Sequence, residues 1–367
     1  MNERIRKVSN IVKAEKADAL LVWNEEGRGQ PATAWLSGFT GSSSTLLIIP
    51  PRRFLVTDGR YVAQSRNEAR ECSVFIASAA RPSLRILGRL VRRYRVRRVL
   101  FDGTLTSHSA AEDVKKELPG VVFVSRKRVL QELRLVKEKG EARLLREVAE
   151  IACKAFTRFL SLIEVGVTEK ELARKLESSC MEEGAEAMAF PTIVASGKSG
   201  ALPHAGVTEK KIRRGELITI DFGVRYKGYV SDMTRTIAAG DVSRRLMRIY
   251  EAVRGAQECG CKQARAGMTG EELDAVCRNY LRRKGFGRYF THATGHGLGM
   301  EVHELPAVAR GAAGEDKLPV GSVVTCEPGV YIPGVGGVRI EDTLLLTRRG
   351  SVNLTAGVSK KLLILSR

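Results

Sequence analysis

Two pairs of acidic residues sit in two hairpin-like segments that read as copies of one another. The first segment, ELITIDFGVRYKGYVSDMTRT, carries Asp221 and Asp232; the second, SVVTCEPGVYIPGVGGVRIED, carries Glu327 and Glu341. In each, the first acid ends an apolar run of the kind that forms a buried strand. A glycine-bearing turn and a second strand follow. A first hairpin folding about Tyr226–Lys227 sets Asp221 opposite Asp232, and a second folding about Gly334 sets Glu327 opposite Glu341. Cross-strand partners have Cβ atoms roughly 5 Å apart, and like charges there destabilise a sheet. Four carboxylates so placed call for a cation.

The duplication reaches beyond the acids. IRRGELITIDFGV aligns without gaps on LPVGSVVTCEPGV, matching Gly215 to Gly321, Thr219 to Thr325 and Gly223 to Gly329. Upstream, VGVTEKELARKLESSCMEEG resembles AGMTGEELDAVCRNYLRRKG. Thr168 with Glu171, and Thr269 with Glu272, have the spacing of a helix-starting capping box. The unit "helix, then acid-bearing hairpin" therefore occurs twice, and a pseudo-twofold pairing of the units brings their acids together.

The chain has 367 residues, long for one core, and divides by pattern into segments 1–130 and 131–367. The first alternates helix and strand patterns and reads as a small α/β domain. The second opens on an amphipathic helix from Glu141 to Ile163 and contains both repeats. Seven cysteines, an odd number mostly inside helix or strand patterns, point to a reduced, cytoplasmic protein. No apolar run has the length of a membrane span.

The net charge is +20, a balance that favours contact with polyanions. The basic residues are scattered along the chain, apart from short runs such as Arg92-Arg93 through Arg97-Arg98, and no nucleic-acid motif accompanies them. The reading is therefore a solvated basic surface, without a nucleic-acid partner. Asp221-Phe222-Gly223 has no kinase catalytic loop before it, and His303-Glu304 lacks the second histidine of a zincin.

Of five histidines, His204, His292, His296 and His303 fall around the hairpins. His296 lies among Gly295, Gly297 and Gly299, which permit close backbone approach. Four carboxylates and one imidazole form a mostly hard-oxygen ligand set, suited to manganese, cobalt, iron or zinc. More acids are present than one divalent ion needs; two ions roughly 3.5–4 Å apart would use them. Arg339 lies two residues before Glu341, on the same strand face, where it orients a carboxylate, binds substrate or serves as a charge partner to the acids.

These residues resemble the pita-bread metallopeptidases, the family of methionine aminopeptidase, aminopeptidase P and prolidase. The family's ordered ligands match Asp221 in TIDFG, Asp232 in SDMTRT, His296 in TGHGLG, Glu327 in TCEPG and Glu341 in VRIED. WLSGFTGS (35–42) and FLVTDGRYVAQ (54–64) resemble the creatinase-type N-terminal domain of Xaa-Pro peptidases. The resemblance implies an α/β creatinase-like domain followed by a pseudo-twofold pita-bread domain with a curved antiparallel sheet. It implies two divalent ions, manganese first, and a bridging hydroxide that attacks the scissile carbonyl. Glu327 becomes the proton shuttle, His204 and His303 contact substrate and the tetrahedral intermediate, and His292 and Arg339 join the substrate site. The implied substrate is a peptide with an Xaa-Pro N-terminus, and the implied assembly a homodimer. Aminopeptidase P is favoured over prolidase. Metal-free creatinase chemistry and a non-catalytic binding module are the remoter alternatives, because all five ligand positions are intact.

Overall fold

The computed structural model describes residues 2–27, 30–311 and 317–365. The chain divides into two compact units, Met1–Arg134 and Leu135–Arg367. The first unit runs α1 (Glu3–Ala14), β1 (Ala19–Asn24), α2 (Pro31–Ser37), β2 (Ser44–Ile49), β3 (Arg52–Asp58), α3 (Val62–Glu68), β4 (Ser73–Ala77), α4 (Ser83–Arg93), β5 (Arg98–Asp102), α5 (His108–Glu117), β6 (Val122–Arg126) and α6 (Val129–Arg134). Its six-stranded sheet has the order β4-β3-β2-β1-β5-β6. β2 is antiparallel to both neighbours, whereas the pairs β3–β4, β1–β5 and β5–β6 are parallel. The strands are near-continuous apolar runs such as ALLV and LLII because helices cover the sheet. This is the alternation of helix and strand expected of the segment.

The second unit contains α7 (Lys139–Leu160), α8 (Glu169–Glu182), β7 (Ala187–Met188), β8 (Ile193–Ser196), β9 (Glu216–Phe222), β10 (Val224–Tyr226), β11 (Tyr229–Val230), β12 (Met233–Ala239), α9 (Arg244–Gln263), α10 (Gly270–Arg283), β13 (Gly295–Gly297), β14 (Glu304–Val308), β15 (Val323–Cys326), β16 (Gly329–Ile332), β17 (Gly336–Arg339), β18 (Asp342–Leu346) and β19 (Ser351–Asn353). The sheet segments β12-β9-β8 and β14-β13-β15-β18-β19 are the repeated element. Each is preceded by a helix pair, α7–α8 or α9–α10. Thr168 and Thr269 each close a full capping box, with Glu171 and Glu272. Matched glycines share the left-handed backbone: Gly166 and Gly267 at φ 100° and 88°, Gly215 and Gly321 at 84° and 87°. Only glycine takes that conformation without strain.

Two apolar cores form, each built mainly on one helix pair and completed by a few residues of the other half. Val148, Phe156 and Phe159 of α7 pack on Ile218, Ile220 and Phe222 of β9, with the Phe156 and Phe222 rings stacked at 5.8 Å. Val253 and Ala256 of α9 and Cys277 of α10 pack with Val324 and Cys326 of β15. Strand alternation turns the intervening residues, Thr219 and Asp221 in one half and Thr325 and Glu327 in the other, to the opposite face. All seven cysteines are free thiols.

Candidate metal centre

The two hairpins deliver their acids with different registers. In the first, the turn falls at Lys227–Gly228, whose φ values are both positive, 48° and 78°. This is one residue later than the sequence reading placed it. Asp221 therefore faces Thr234, and Met233 faces Phe222; Asp232 lies two residues before Thr234, nearer the turn. A displacement of two keeps every side chain on its expected face, so Asp221 and Asp232 still share one. In the second hairpin the pairs Cys326↔Asp342 and Gly329↔Arg339 bracket the acids, which sets Glu327 against Glu341 as the pattern about Gly334 requires.

Asp221, Asp232, Glu327, Glu341, His204, His292, His296, His303 and Arg339 all line one cavity of about 900 Å³. Within it, one ligand atom each from Asp232, His296 and Glu341 lie within 4.8 Å of one another. His296 Nε2 is 3.6 Å from Asp232 Oδ2 and 3.4 Å from Glu327 Oε1. Its Nδ1 is 3.1 Å from the carbonyl of Gly297, and its backbone N–H donates to Thr325 Oγ1 at 3.1 Å. Burial, reinforced by His303, pushes the His296 imidazole down to about 4. A neutral ring whose Nδ1–H is held by Gly297 turns a bare Nε2 lone pair towards carboxylate oxygens.

The acids themselves are out of place without a cation. Burial and then the neighbouring carboxylates hold Asp232 and Glu341 well above the usual carboxylate range. Glu327 is pushed up to about 8 by burial, against the opposing pull of Arg339. Asp221 Oδ1 and Glu341 Oε1 are buried with no hydrogen-bond partner. Lone pairs of one imidazole and several carboxylates converge, with orphaned oxygens among them, so the donor set fits hard divalent cations.

The surrounding shell was only partly legible in the sequence. Thr234 donates its hydroxyl to Glu341 Oε2 at 2.7 Å and accepts from Arg339 Nε at 3.2 Å. Arg339 Nη2 donates to Asp221 Oδ2 at 2.6 Å, and Nη1 to the Tyr331 hydroxyl at 2.8 Å and the Pro203 carbonyl at 3.1 Å. Its hydrogen bonds thus orient an acid, and its side chain, 5% exposed, lies in the cavity wall. Tyr331 passes the chain to His292 Nε2 at 2.8 Å, while His292 Nδ1 is 2.7 Å from the Ala293 carbonyl. Burial pushes His292 down to about 4, consistent with a neutral ring accepting from the phenol. Arg278 of α10 fixes this segment by donating to the carbonyls of Phe290 and His292. His204 and His303 are exposed on the cavity, with the His303 ring edge-on to His296 at 4.3 Å.

Sequence reasoning missed Tyr331, Thr234 and Arg278. A signal for Tyr331 existed: Gly329 and Gly337 flank it, and a Cβ at either would strike its ring or hydroxyl. Thr234 and Arg278 carry no pattern that separates them from ordinary strand and helix residues.

Residues 143–348 match the family described as metallopeptidase family M24, and residues 4–136 match the creatinase/prolidase N-terminal domain. An uncharacterized peptidase of Bacillus subtilis, YqhT, is 36% identical over 99% of this chain and 100% of its own length. The solved structure of an Xaa-Pro dipeptidase from Bacillus anthracis superposes with a TM-score of 0.93 at 37% identity, over 99% of both chains. That of an X-Pro aminopeptidase from Thermotoga maritima gives 0.89 at 35% identity, over 98% of this chain and 100% of the other. A catalytic unit with duplicated acid hairpins, joined to a creatinase-like α/β unit, matches both family descriptions along nearly the whole chain: the protein belongs to metallopeptidase family M24.

Proposed function

We propose that the protein is a dinuclear divalent-metal Xaa-Pro aminopeptidase, releasing the N-terminal residue from peptides with proline in second position. The observation that carries this reading is the convergence of Asp232, His296 and Glu341 in the cavity shared with Asp221 and Glu327. Those five side chains would hold two ions, manganese first, with cobalt, zinc or iron as alternatives. When bound, the ions supply Lewis acidity and a water ionised near neutral pH.

The chain's own residues do the rest. Glu327 Oε1 holds and passes the proton that the attacking water loses and the leaving nitrogen gains. His204 and His303, exposed on the cavity wall, bind the substrate and the oxygen of its tetrahedral intermediate. Arg339 fixes Asp221, and Tyr331 with His292 fixes Arg339. Phe190, Pro191, Ile193, Val207 and Val302 make part of the wall apolar, a setting that suits a pyrrolidine ring. An Xaa-Pro bond has no N–H, so a site built on a charged centre and an apolar wall loses nothing by its absence.

A cavity of about 900 Å³ lies near the top of the range for small-ligand sites and leaves room beyond the proline. A second reading, Xaa-Pro dipeptidase, is favoured by the likeness to the Xaa-Pro dipeptidase from Bacillus anthracis. Manganese-loaded protein should cleave an Xaa-Pro-Xaa tripeptide faster than the matching dipeptide and leave an Xaa-Ala-Xaa tripeptide nearly intact. Cleavage of the dipeptide alone selects the second reading, and equal cleavage of the alanine peptide refutes both. A cytoplasmic homodimer belongs to the same proposal, its assembly checked by light scattering.

A further inference from the structure

Among the scattered basic residues, one stretch stands apart because it holds no acidic ones. Residues 72–101 hold eight arginines and no aspartate or glutamate. α4 folds the centre of this stretch so that Ile86, Leu87, Leu90 and Val91 are buried. Arg85, Arg89, Arg92 and Arg93 are left exposed, as are Arg95 and Arg97 beyond the helix. Spacing of i and i+4 sets Arg85, Arg89 and Arg93 in one row, about 6 Å apart along the axis.

None of these six arginines forms an ion pair among the described residues, although α5 beside them carries Asp113 and Glu117. Elsewhere Arg60, Arg126, Arg158 and Arg254 each hold carboxylates. Like charges at i and i+4 destabilise a helix, so the row works against α4, and no ion pair among the described residues offsets it.

We infer that the α4 face binds the phosphate backbone of nucleic acid, without reading base sequence. The row is arginine throughout, and a planar guanidinium matches a phosphate with two parallel hydrogen bonds where lysine offers a point charge. A lipid surface fits less well, because an interfacial helix inserts an apolar face and the apolar side of α4 is buried. At the end of the row, Tyr94 lies under the guanidinium groups of Arg52 and Arg93, at 5.3 Å and 5.7 Å. The linear sequence hides the patch: the arginines are spaced by apolar residues and become one surface only when the helix winds.

The test is fluorescence anisotropy of a labelled oligo(dT) 20-mer with the full metal-loaded chain. About five neutralised phosphates on a single strand give a slope of log affinity against log salt of roughly −3.5. Raising NaCl from about 50 to about 200 mM then weakens binding roughly 100-fold. The triple variant R85E/R89E/R93E should bind at least ~10-fold more weakly, since it reverses the sign at contacts that each contribute to that slope. R244E/R245E/R248E, with the same charge change on exposed residues of α9, should bind within about threefold of the parent if contact is local. Circular dichroism and peptidase activity check that both fold; if the reversal disturbs α4, the neutral R85Q/R89Q/R93Q takes its place. Absence of binding at the lower salt, equal loss in the α4 and α9 variants, or tighter binding to phosphatidylglycerol vesicles than to the oligonucleotide would each overturn the inference.

Discussion

Replacing Thr234 by valine tests whether the buried shell sets metal affinity. Thr234 is fully buried, and its hydroxyl makes two contacts, donating to Glu341 Oε2 at 2.7 Å and accepting from Arg339 Nε at 3.2 Å. Valine keeps the shape of the side chain and removes both. A hydrogen bond to a charged group contributes about 1.5–3 kcal/mol net. The Glu341 contact bears on the ligand, and losing a contact that orients a ligand typically weakens metal binding about 10–100-fold, which is about 1.4–2.8 kcal/mol. The two ranges agree. The Arg339 contact bears on the fold, because an unpaired buried donor costs about 1–3 kcal/mol. Thr234→Val should therefore bind Mn²⁺ 10–100-fold more weakly, in the range just cited, as measured by titration against a competing chelator. It should also melt earlier without metal, and Thr234→Ser should restore both properties. A manganese Kd within about twofold of the parent, in a variant with normal circular dichroism, would refute the claim that this hydroxyl orients Glu341.

Further outcomes follow from the same network. Tyr331→Phe removes one of the two acceptors of Arg339 Nη1 and the partner of His292 Nε2; turnover should fall about 10–100-fold, the rate equivalent of one charge-assisted bond, with metal content unchanged by elemental analysis. Asp342 accepts from Arg235, Gln257, Thr355 and Lys360. Burial would raise its pKa, but Arg235 and Lys360 outweigh burial and hold it down. Asp342→Asn strands the Arg235 charge and should cost about 3–5 kcal/mol in urea unfolding; a loss under about 1 kcal/mol would contradict the pairing. Glu327 has a folded pKa near 8 against about 4.3 when unfolded. Between those values the folded state binds more protons, so this group makes the metal-free protein less stable as pH rises through that window. Melting in chelator at pH near 5.5 and near 8.5 should display that loss, and Glu327→Gln should flatten it; an unchanged slope in the variant counts against the assignment.

How much was legible depends on whether a residue sits in a repeating pattern. The apolar alternation of β9 and β15 fixed which residues point to the core, and therefore which acids point away from it. Parity survives an error of two residues, which is why misplacing the first turn by one residue changed the partner of Asp221 but not its face. Glu327 and Glu341 were placed correctly because Gly334 marks the centre of a symmetric hairpin. Thr234, Tyr331 and Arg278 escaped because their contacts join segments separated by 107, 39 and 14 positions, and no local pattern encodes such a distance. The arginine face of α4 escaped for a related reason: an ion-pair deficit is a property of neighbours in space.

The same network explains why the duplicated halves cannot each keep a site of their own. Glu341, from the second half, is oriented by Thr234 of the first, and its backbone N–H donates to the Thr234 carbonyl at 3.1 Å. Asp221, from the first half, is oriented by Arg339 of the second. Thr343 of the second half donates to the carbonyl of Asp232 at 2.9 Å, and Arg235 of the first pairs with Asp342, next to Glu341. Orientation is thus exchanged across the seam, while most of the apolar packing on each helix pair comes from its own half, with a few residues such as Leu217 and Val323 crossing over. The hydrogen bonds that orient the acid cluster therefore run between halves, whereas the Phe156–Phe222 contact lies within one. A substitution in either core should lower stability before it alters metal affinity, whereas one at the seam should alter metal affinity first. The order of those two losses, measured on Phe156→Leu and Thr234→Val by melting and by manganese titration, separates a site built between two halves from one built within either.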